Sequence, residues 1–263
     1  MKRILVPTDF SDCADHAFEA AVKLARRFKA TLHLHTCMEL PKATEDADAI
    51  IKETLVAQEG LKNRYPELEV TSSYSEGKLV DEVLSCIEQR GTDFVVMGSH
   101  GRSGVSEIFI GSNTQKVVRS VHLPVLIIKG ELPDINFDQI VFASSFNMSE
   151  KEVFLRFKEI VAPFEPEIFL LGVKTSFFFD PPASVTSAAM EQFKMLASPF
   201  PCKTYIFKNA NIESGIREFA ETVGADLIAI SNQQRNPLRR MFVGSNVEAL
   251  INHSNLPVLT IDY

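Results

Sequence analysis

Short apolar runs rich in β-branched residues alternate with longer stretches of helical period along the whole chain. In the first half the runs fall at 3–7, 31–37, 68–73, 93–97 and 125–128, and in the second at 139–143, 167–173, 203–208, 226–230 and 258–261. Runs that are nearly continuous, rather than alternating with polar residues, suit strands buried on both faces. Between the first two runs, Ala14, Ala17, Phe18, Ala21, Val22, Ala25 and Phe28 recur at the spacing of one helix face, with Ser11 and Asp12 ahead of them as cap residues. Strand and helix in strict alternation predict a parallel sheet covered by helices on both sides, with right-handed crossovers fixing the winding.

The pattern repeats. TDFVVMGS at 92–99 lies over ADLIAISN at 225–232, Gly111 Ser112 Asn113 recurs as Gly244 Ser245 Asn246, and Leu123 Pro124 Val125 Leu126 recurs as Leu256 Pro257 Val258 Leu259. Nearer the start, ILVPTDF at 4–10 lies over IVFASSF at 140–146. Repetition at such a period predicts an α/β protein of two tandem, doubly wound, five-stranded parallel-sheet domains, spanning 1–132 and 133–263.

Composition narrows the partners. The 263 residues are 45% hydrophobic and 23% charged, a globular balance, and 27 Lys+Arg against 34 Asp+Glu leave a net charge of −7. That charge offers no general attraction to nucleic acid or to an anionic membrane, so neither is expected as a partner. Cys13, Cys37, Cys86 and Cys202 are too widely spaced for a C-x-x-C pair and are expected to be reduced thiols. Three apolar residues before Pro7 are too few for a signal-peptide core, and no run approaches the ~20 residues of a spanning helix. A cytoplasmic protein is expected.

Ligands of open α/β sheets bind beyond the carboxyl ends of the strands, where the strand order reverses. After the fourth run come Met97 Gly98 Ser99 His100 Gly101 Arg102 Ser103 Gly104, and Gly111 Ser112 Asn113 Thr114 then open a helix, a G-x2-G-x9-G-S spacing. Glycines let backbone approach an anion closely, and free N–H groups at a helix N-terminus attract negative charge. The same residues could equally form a tight turn with a serine cap.

Pro7 Thr8 Asp9 after the first run, the spaced glycines and Leu123 Pro124 Val125 together resemble the ATP-binding subgroup of the universal stress protein family. The resemblance extends over both halves and implies the adenine nucleotide alpha hydrolase-like fold with ATP as ligand, carried with or without Mg²⁺. It further implies that Asp9 holds the ribose or base edge, that Pro7 and Thr8 line the base pocket, and that Thr36 meets adenine through its backbone. Met97, Gly98 and Gly101 would bring the strand-end backbone close to the nucleoside, and Gly101, Arg102, Gly111, Ser112, Asn113 and Thr114 would hold the phosphates. A carboxylate at Asp9 suits sugar hydroxyls on chemical grounds alone, although the segment Asp9 to Asp12 could also simply cap the first helix. His100 either approaches a phosphate or is a solvated loop histidine. The family also implies antiparallel pairing of Val125–Ile128 with Val258–Ile261, an internal pseudo-dimer to which a homodimer of chains could be added, and a signalling partner that the sequence does not name.

The second half departs from the motif: Ala143 replaces Pro7, Ser145 replaces Asp9, Ser231 replaces Gly98 and Gln234 replaces Gly101. One nucleotide site per chain is therefore expected, in the first half, although Gly244 Ser245 Asn246 could still attract an anion with Arg235, Arg239 and Arg240 nearby. Phe177, Phe178 and Phe179 sit in a loop without counterpart in the first half. His33, His35 and Cys37 share one strand face, as zinc ligands would, but with no fourth ligand evident no metal is expected. The absence of a Gly-x4-Gly-Lys-Ser/Thr loop and of a Gly-x-Ser-x-Gly elbow argues against vigorous catalysis and leaves slow ATP hydrolysis as the most an enzyme reading supports.

Overall fold

A computed structural model describes residues 1–38, 44–101, 111–175, 183–231 and 247–262. The chain divides into two units, Met1–Ile135 and Asn136–Tyr263. Residues 133–135, assigned by the repeat to the second half, fall in the first unit, where the Lys23 ammonium donates to the carbonyls of Leu132 and, at 2.9 Å, of Pro133.

In the first unit β1 (Arg3–Pro7), β2 (Thr31–Met38), β3 (Val70–Glu76), β4 (Phe94–Gly98) and β5 (Val125–Ile128) are parallel, in the order β3-β2-β1-β4-β5. The chain steps outward from β1 to β3 and returns to place β4 beside β1, so the order reverses between β1 and β4. Helix α1 (Asp12–Phe28) packs on β1, β2, β4 and β5, α2 (Thr44–Asn63) packs on β3, and α3 (Leu79–Arg90) packs on β1, β2 and α4 (Ser112–Ser120). Covered on both sides, β1, β4 and β5 bury nearly every residue, which is why their sequences run apolar without a break.

The apolar stripe of α1 is buried from Ala14 to Ala25, while Phe28, in the last turn, is only half-buried. Ser11 caps the helix by accepting from the Ala14 N–H at 3.3 Å, and Lys29, left-handed at φ 52°, closes its far end. The alanines let the helix lie close to the sheet. At Gly98 a Cβ would sit 2.9 Å from both the carbonyl oxygen and the Sγ of Cys13.

The third strand runs from Val70 to Glu76 instead of 68–73. It is an outer strand of its unit's sheet, so apolar residues do not mark it. Its hydroxyls at Thr71, Ser73 and Ser75 instead face His33 and His35 of β2.

In the second unit β6 (Gln139–Ala143), β7 (Glu167–Lys174), β8 (Cys202–Lys208), β9 (Leu227–Ser231) and β10 (Val258–Ile261) form the parallel order β8-β7-β6-β9-β10. Helices α5 (Lys151–Val161), α6 (Ala183–Ala197) and α7 (Ile212–Val223) are followed by a helical segment at 247–253. Its core is aromatic. Phe142 lies 4.8 Å from Phe157 and 5.1 Å from Phe154, and Phe193 lies 5.3 Å from Phe146 and 5.4 Å from Phe154, measured between ring centroids.

Both units leave their first strand through the same turn. Phe10 (φ 58°) and Phe146 (φ 54°) are left-handed, a conformation that costs a bulky residue about 1 to 3 kcal/mol. In each, a hydroxyl two residues earlier accepts from the phenylalanine N–H: Thr8 Oγ1 at 3.1 Å and Ser144 Oγ at 2.8 Å. Among the described residues no helix is long and apolar enough to cross a membrane.

Candidate functional site

In the first unit the reversal of strand order sets the carboxyl ends of β1 and β4 side by side, with the loop after Pro7 facing the loop after Gly98. Beyond β1, the Thr8 N–H still donates to the His35 carbonyl at 2.9 Å, and the chain then turns sharply at Phe10. That turn presents Asp9. Its Oδ1 accepts from the N–H of Ser11 at 3.1 Å and from the Ser11 hydroxyl at 2.7 Å, which holds the helix cap in place. Its Oδ2 faces Gly101, where a Cβ would lie only 2.3 Å away. Asp9 thus supports the cap residue, while Ser11 itself caps α1, and the carboxylate still looks across the site.

Beyond β4, the Ser99 N–H donates to the Ile128 carbonyl and the Gly111 N–H to the Ser99 carbonyl, drawing the start of α4 against the strand end. Gly111 is the N-cap of α4 and offers no side chain to its first N–H groups; the first turn holds no acidic residue. Such a terminus attracts anions through its unsatisfied N–H groups and the helix dipole. The Thr114 hydroxyl turns inward and donates to the Gly98 carbonyl at 2.9 Å.

A cavity of about 280 Å³ opens between these loops. Pro7, Thr8, Asp9, Met97, Gly98, His100, Gly101, Gly111, Ser112, Asn113 and Thr114, all singled out from the sequence, line it. Thr36 does not. Its buried hydroxyl accepts from Gln58 Nε2 at 3.1 Å, and the alternation of β2 gives the lining position to Cys37. Arg102 lies outside the described residues, as do Phe177 to Phe179, Gln234, Arg235, Arg239, Arg240 and Gly244 to Asn246. His100 lines the cavity with Nδ1 3.0 Å from the Ser99 hydroxyl.

Ala14, Cys37, Gly77 and Leu79 complete the lining and were missed from the sequence. Strand parity could have found Cys37, and the rule that ligands meet every loop on the carboxyl edge could have found Gly77 and Leu79, which follow β3. Cys37 donates to the Gly77 carbonyl at 3.0 Å, tying the end of β2 to the loop after β3.

The histidines of β2 form a separate cluster. Ligand atoms of His33, His35 and Cys86, the last on α3 in place of Cys37, lie within 4.8 Å of one another. All four ring nitrogens meet hydroxyls at 2.7 to 3.0 Å, on Thr71, Ser73 and Ser75. Burial pushes His33 down to about 4, helped by Arg90 and His35; burial also lowers His35 and raises the Cys86 thiol. The imidazoles are therefore neutral near pH 7 and their nitrogens are occupied by the hydroxyls of β3.

The corresponding edge of the second unit is built differently. Ala143, Ser144, Ser145 and Ser231 line a cavity of about 160 Å³ with Glu150, which stands where the first unit has Ala14.

The universal stress protein family model matches residues 1–129 and 175–262. A universal stress protein of Methanocaldococcus jannaschii is 30% identical over 154 residues, which cover 49% of this chain and 94% of that one. Another, of Synechocystis, is 22% identical over 292 residues and covers 99% of both chains. Among solved structures, a universal stress protein from Archaeoglobus fulgidus superposes with a TM-score of 0.77 at 20% identity over 99% of this chain and 96% of that one.

Proposed function

The chain belongs to the universal stress protein family, and on that premise we propose that its first unit binds ATP and that the nucleotide state regulates how the protein engages a partner. One observation carries the reading: a single cavity of about 280 Å³ is lined both by Asp9 and by the start of α4, which has no side-chain cap. A carboxylate binds sugar hydroxyls, an open helix N-terminus binds phosphate, and a nucleotide is the ligand that carries both. Gly98 and Gly101 fit the same reading, because a Cβ at Gly101 would fill the space beside Asp9 and one at Gly98 would push α1 away.

In this proposal Pro7, Thr8 and Met97 form the wall for the base, with Cys37 taking the part expected of Thr36, and Asp9 holds the ribose. The N–H groups of Ser112, Asn113 and Thr114 receive the phosphates, with Mg²⁺ as counter-ion to the bound triphosphate. His100 Nδ1 lies 3.0 Å from the Ser99 hydroxyl, and the role proposed for the site is sensing, with at most slow hydrolysis. The site is proposed to act in the cytoplasm.

Titration of the full chain with ATP and Mg²⁺ by calorimetry, with a parallel assay for ADP, tests the reading. Saturation near one ATP per chain with little ADP supports it. Absence of heat up to millimolar ATP would make the protein a nucleotide-free scaffold, and rapid ADP release would make it an adenylyl- or phosphoryl-transfer enzyme.

A further inference from the structure

We propose that the cavity of the second unit is a separate binding site for a small apolar ammonium, an amine of about eight heavy atoms or fewer. It is open on one side and measures about 160 Å³, close in size to the ~150 Å³ of an apolar cavity that takes up benzene. Its walls are Leu171, Val173, Ile212, Ile216 and Ile230, which bury an apolar body.

Two polar side chains, both more than nine-tenths buried, line the same space. Among the described residues Ser231 Oγ has no hydrogen-bond partner, an arrangement that costs about 1 to 3 kcal/mol unless something enters to satisfy it. The Glu150 carboxylate is held on one side only: Ser144 Oγ at 2.6 Å, Ser145 Oγ at 3.0 Å and the Asn147 N–H at 3.1 Å all donate to Oε2. Among the described residues no cation pairs with it. Three neutral donors orient a carboxylate without cancelling its charge, and a buried charge is best satisfied by an opposite one. A cation entering this space would pair with the Glu150 carboxylate and donate to the Ser231 hydroxyl.

The same carboxylate turns away a phosphate, so this site differs in kind from that of the first unit. Glu150 occupies the position of Ala14, and Ile212 that of Leu79. The same edge of the fold thus carries Glu150 among apolar side chains in one unit, and Ala14 at the equivalent position of the other.

The probes are benzylamine, benzyl alcohol and benzoate, each titrated into the full chain by calorimetry with saturation-transfer NMR as a second readout. Benzylamine is expected to saturate at one per chain, at least about tenfold more tightly than benzyl alcohol, with benzoate not binding. Glu150→Gln keeps an acceptor for the two serines while removing the charge. It should weaken benzylamine about tenfold and leave benzyl alcohol within about threefold. Ser231→Ala removes an unpartnered hydroxyl, so it should fold normally and weaken both donors about threefold. The proposal is overturned by equal affinity for amine and alcohol in the wild type, by an unchanged benzylamine affinity in Glu150→Gln, or by a loss in Asp9→Ala that places the amine in the other cavity.

Discussion

Substituting Gly101 by alanine places one methyl group into the contact on which the nucleotide reading turns. The new Cβ would lie 2.3 Å from Asp9 Oδ2, more than about 1 Å inside the 3.5 to 4.0 Å at which heavy atoms rest against one another. Either Asp9 rotates, breaking its bonds to the Ser11 N–H at 3.1 Å and hydroxyl at 2.7 Å, or the loop carrying residue 101 retreats. Rotation gives up two bonds to a charged acceptor, should lower stability by roughly 1 to 3 kcal/mol and moves the carboxylate out of line with the sugar; retreat of the loop instead pulls residue 101 away from the carboxylate. A hydrogen bond to a charged group contributes about 1.5 to 3 kcal/mol, so ATP affinity should fall by about 10- to 150-fold. Calorimetric titration gives the affinity and urea unfolding the stability, each for the wild type, Gly101→Ala, Asp9→Ala and the double variant. Because the methyl acts through the carboxylate, it should cost little more once Asp9 is already alanine, so the two effects should be far from additive. Wild-type affinity in Gly101→Ala, or fully additive losses in the double variant, would refute the reasoning.

Thr114→Val strips the buried donor from the Gly98 carbonyl and should cost about 1 to 3 kcal/mol in urea unfolding without altering the far-UV spectrum. Because burial depresses His33 to about 4 and lowers His35, the unfolded chain takes up protons that the folded chain refuses as pH falls from about 6.5 toward 4. Stability should thus be full above pH 6.5 and decline below it by up to about 1.4 kcal/mol per pH unit for each histidine, with a shallower decline in His33→Asn. Cys37 lines the first cavity, so its alkylation by iodoacetamide should slow severalfold when ATP is present. Cys202, whose thiol burial pushes up to about 11, should react slowly with or without ATP. Phe193→Ala opens the aromatic core of the second unit and should cost about 3 to 5 kcal/mol, read as a lower urea midpoint for that unit.

The winding of both units was legible because the inner strands are buried on two faces and so read as continuous apolar runs. At β3 that signal fails, since Val70–Glu76 carries its information in hydroxyls matched to two histidines of the neighbouring strand, a pairing visible only in three dimensions. Most of the first cavity could be read from glycine spacing, because Gly98 and Gly101 are required by close contacts to Cys13 and Asp9. Thr36 was expected to act through its backbone; its side chain turns to Gln58, and the neighbouring Cys37 takes the side-chain position in the lining. Ala14, Gly77 and Leu79 belong to loops and helix starts that no local pattern ties to the glycines, and Glu150 sits at a position where the first unit has only a methyl group.

The left-handed phenylalanines after β1 and β6 separate the mould from what is cast in it. Phe10 and Phe146 hold the same bend with the same hydroxyl behind each, although the residue between hydroxyl and bend is aspartate in one unit and serine in the other. The bend is thus backed in both units by a threonine or serine hydroxyl, while the side chain at its apex makes different bonds, Asp9 to Ser11 and Ser145 to Glu150. Exchanging Asp9 and Ser145 between the units would swap what each loop offers a ligand while the hydroxyl behind each bend stays in place, so this turn acts as a common mount for two different fittings.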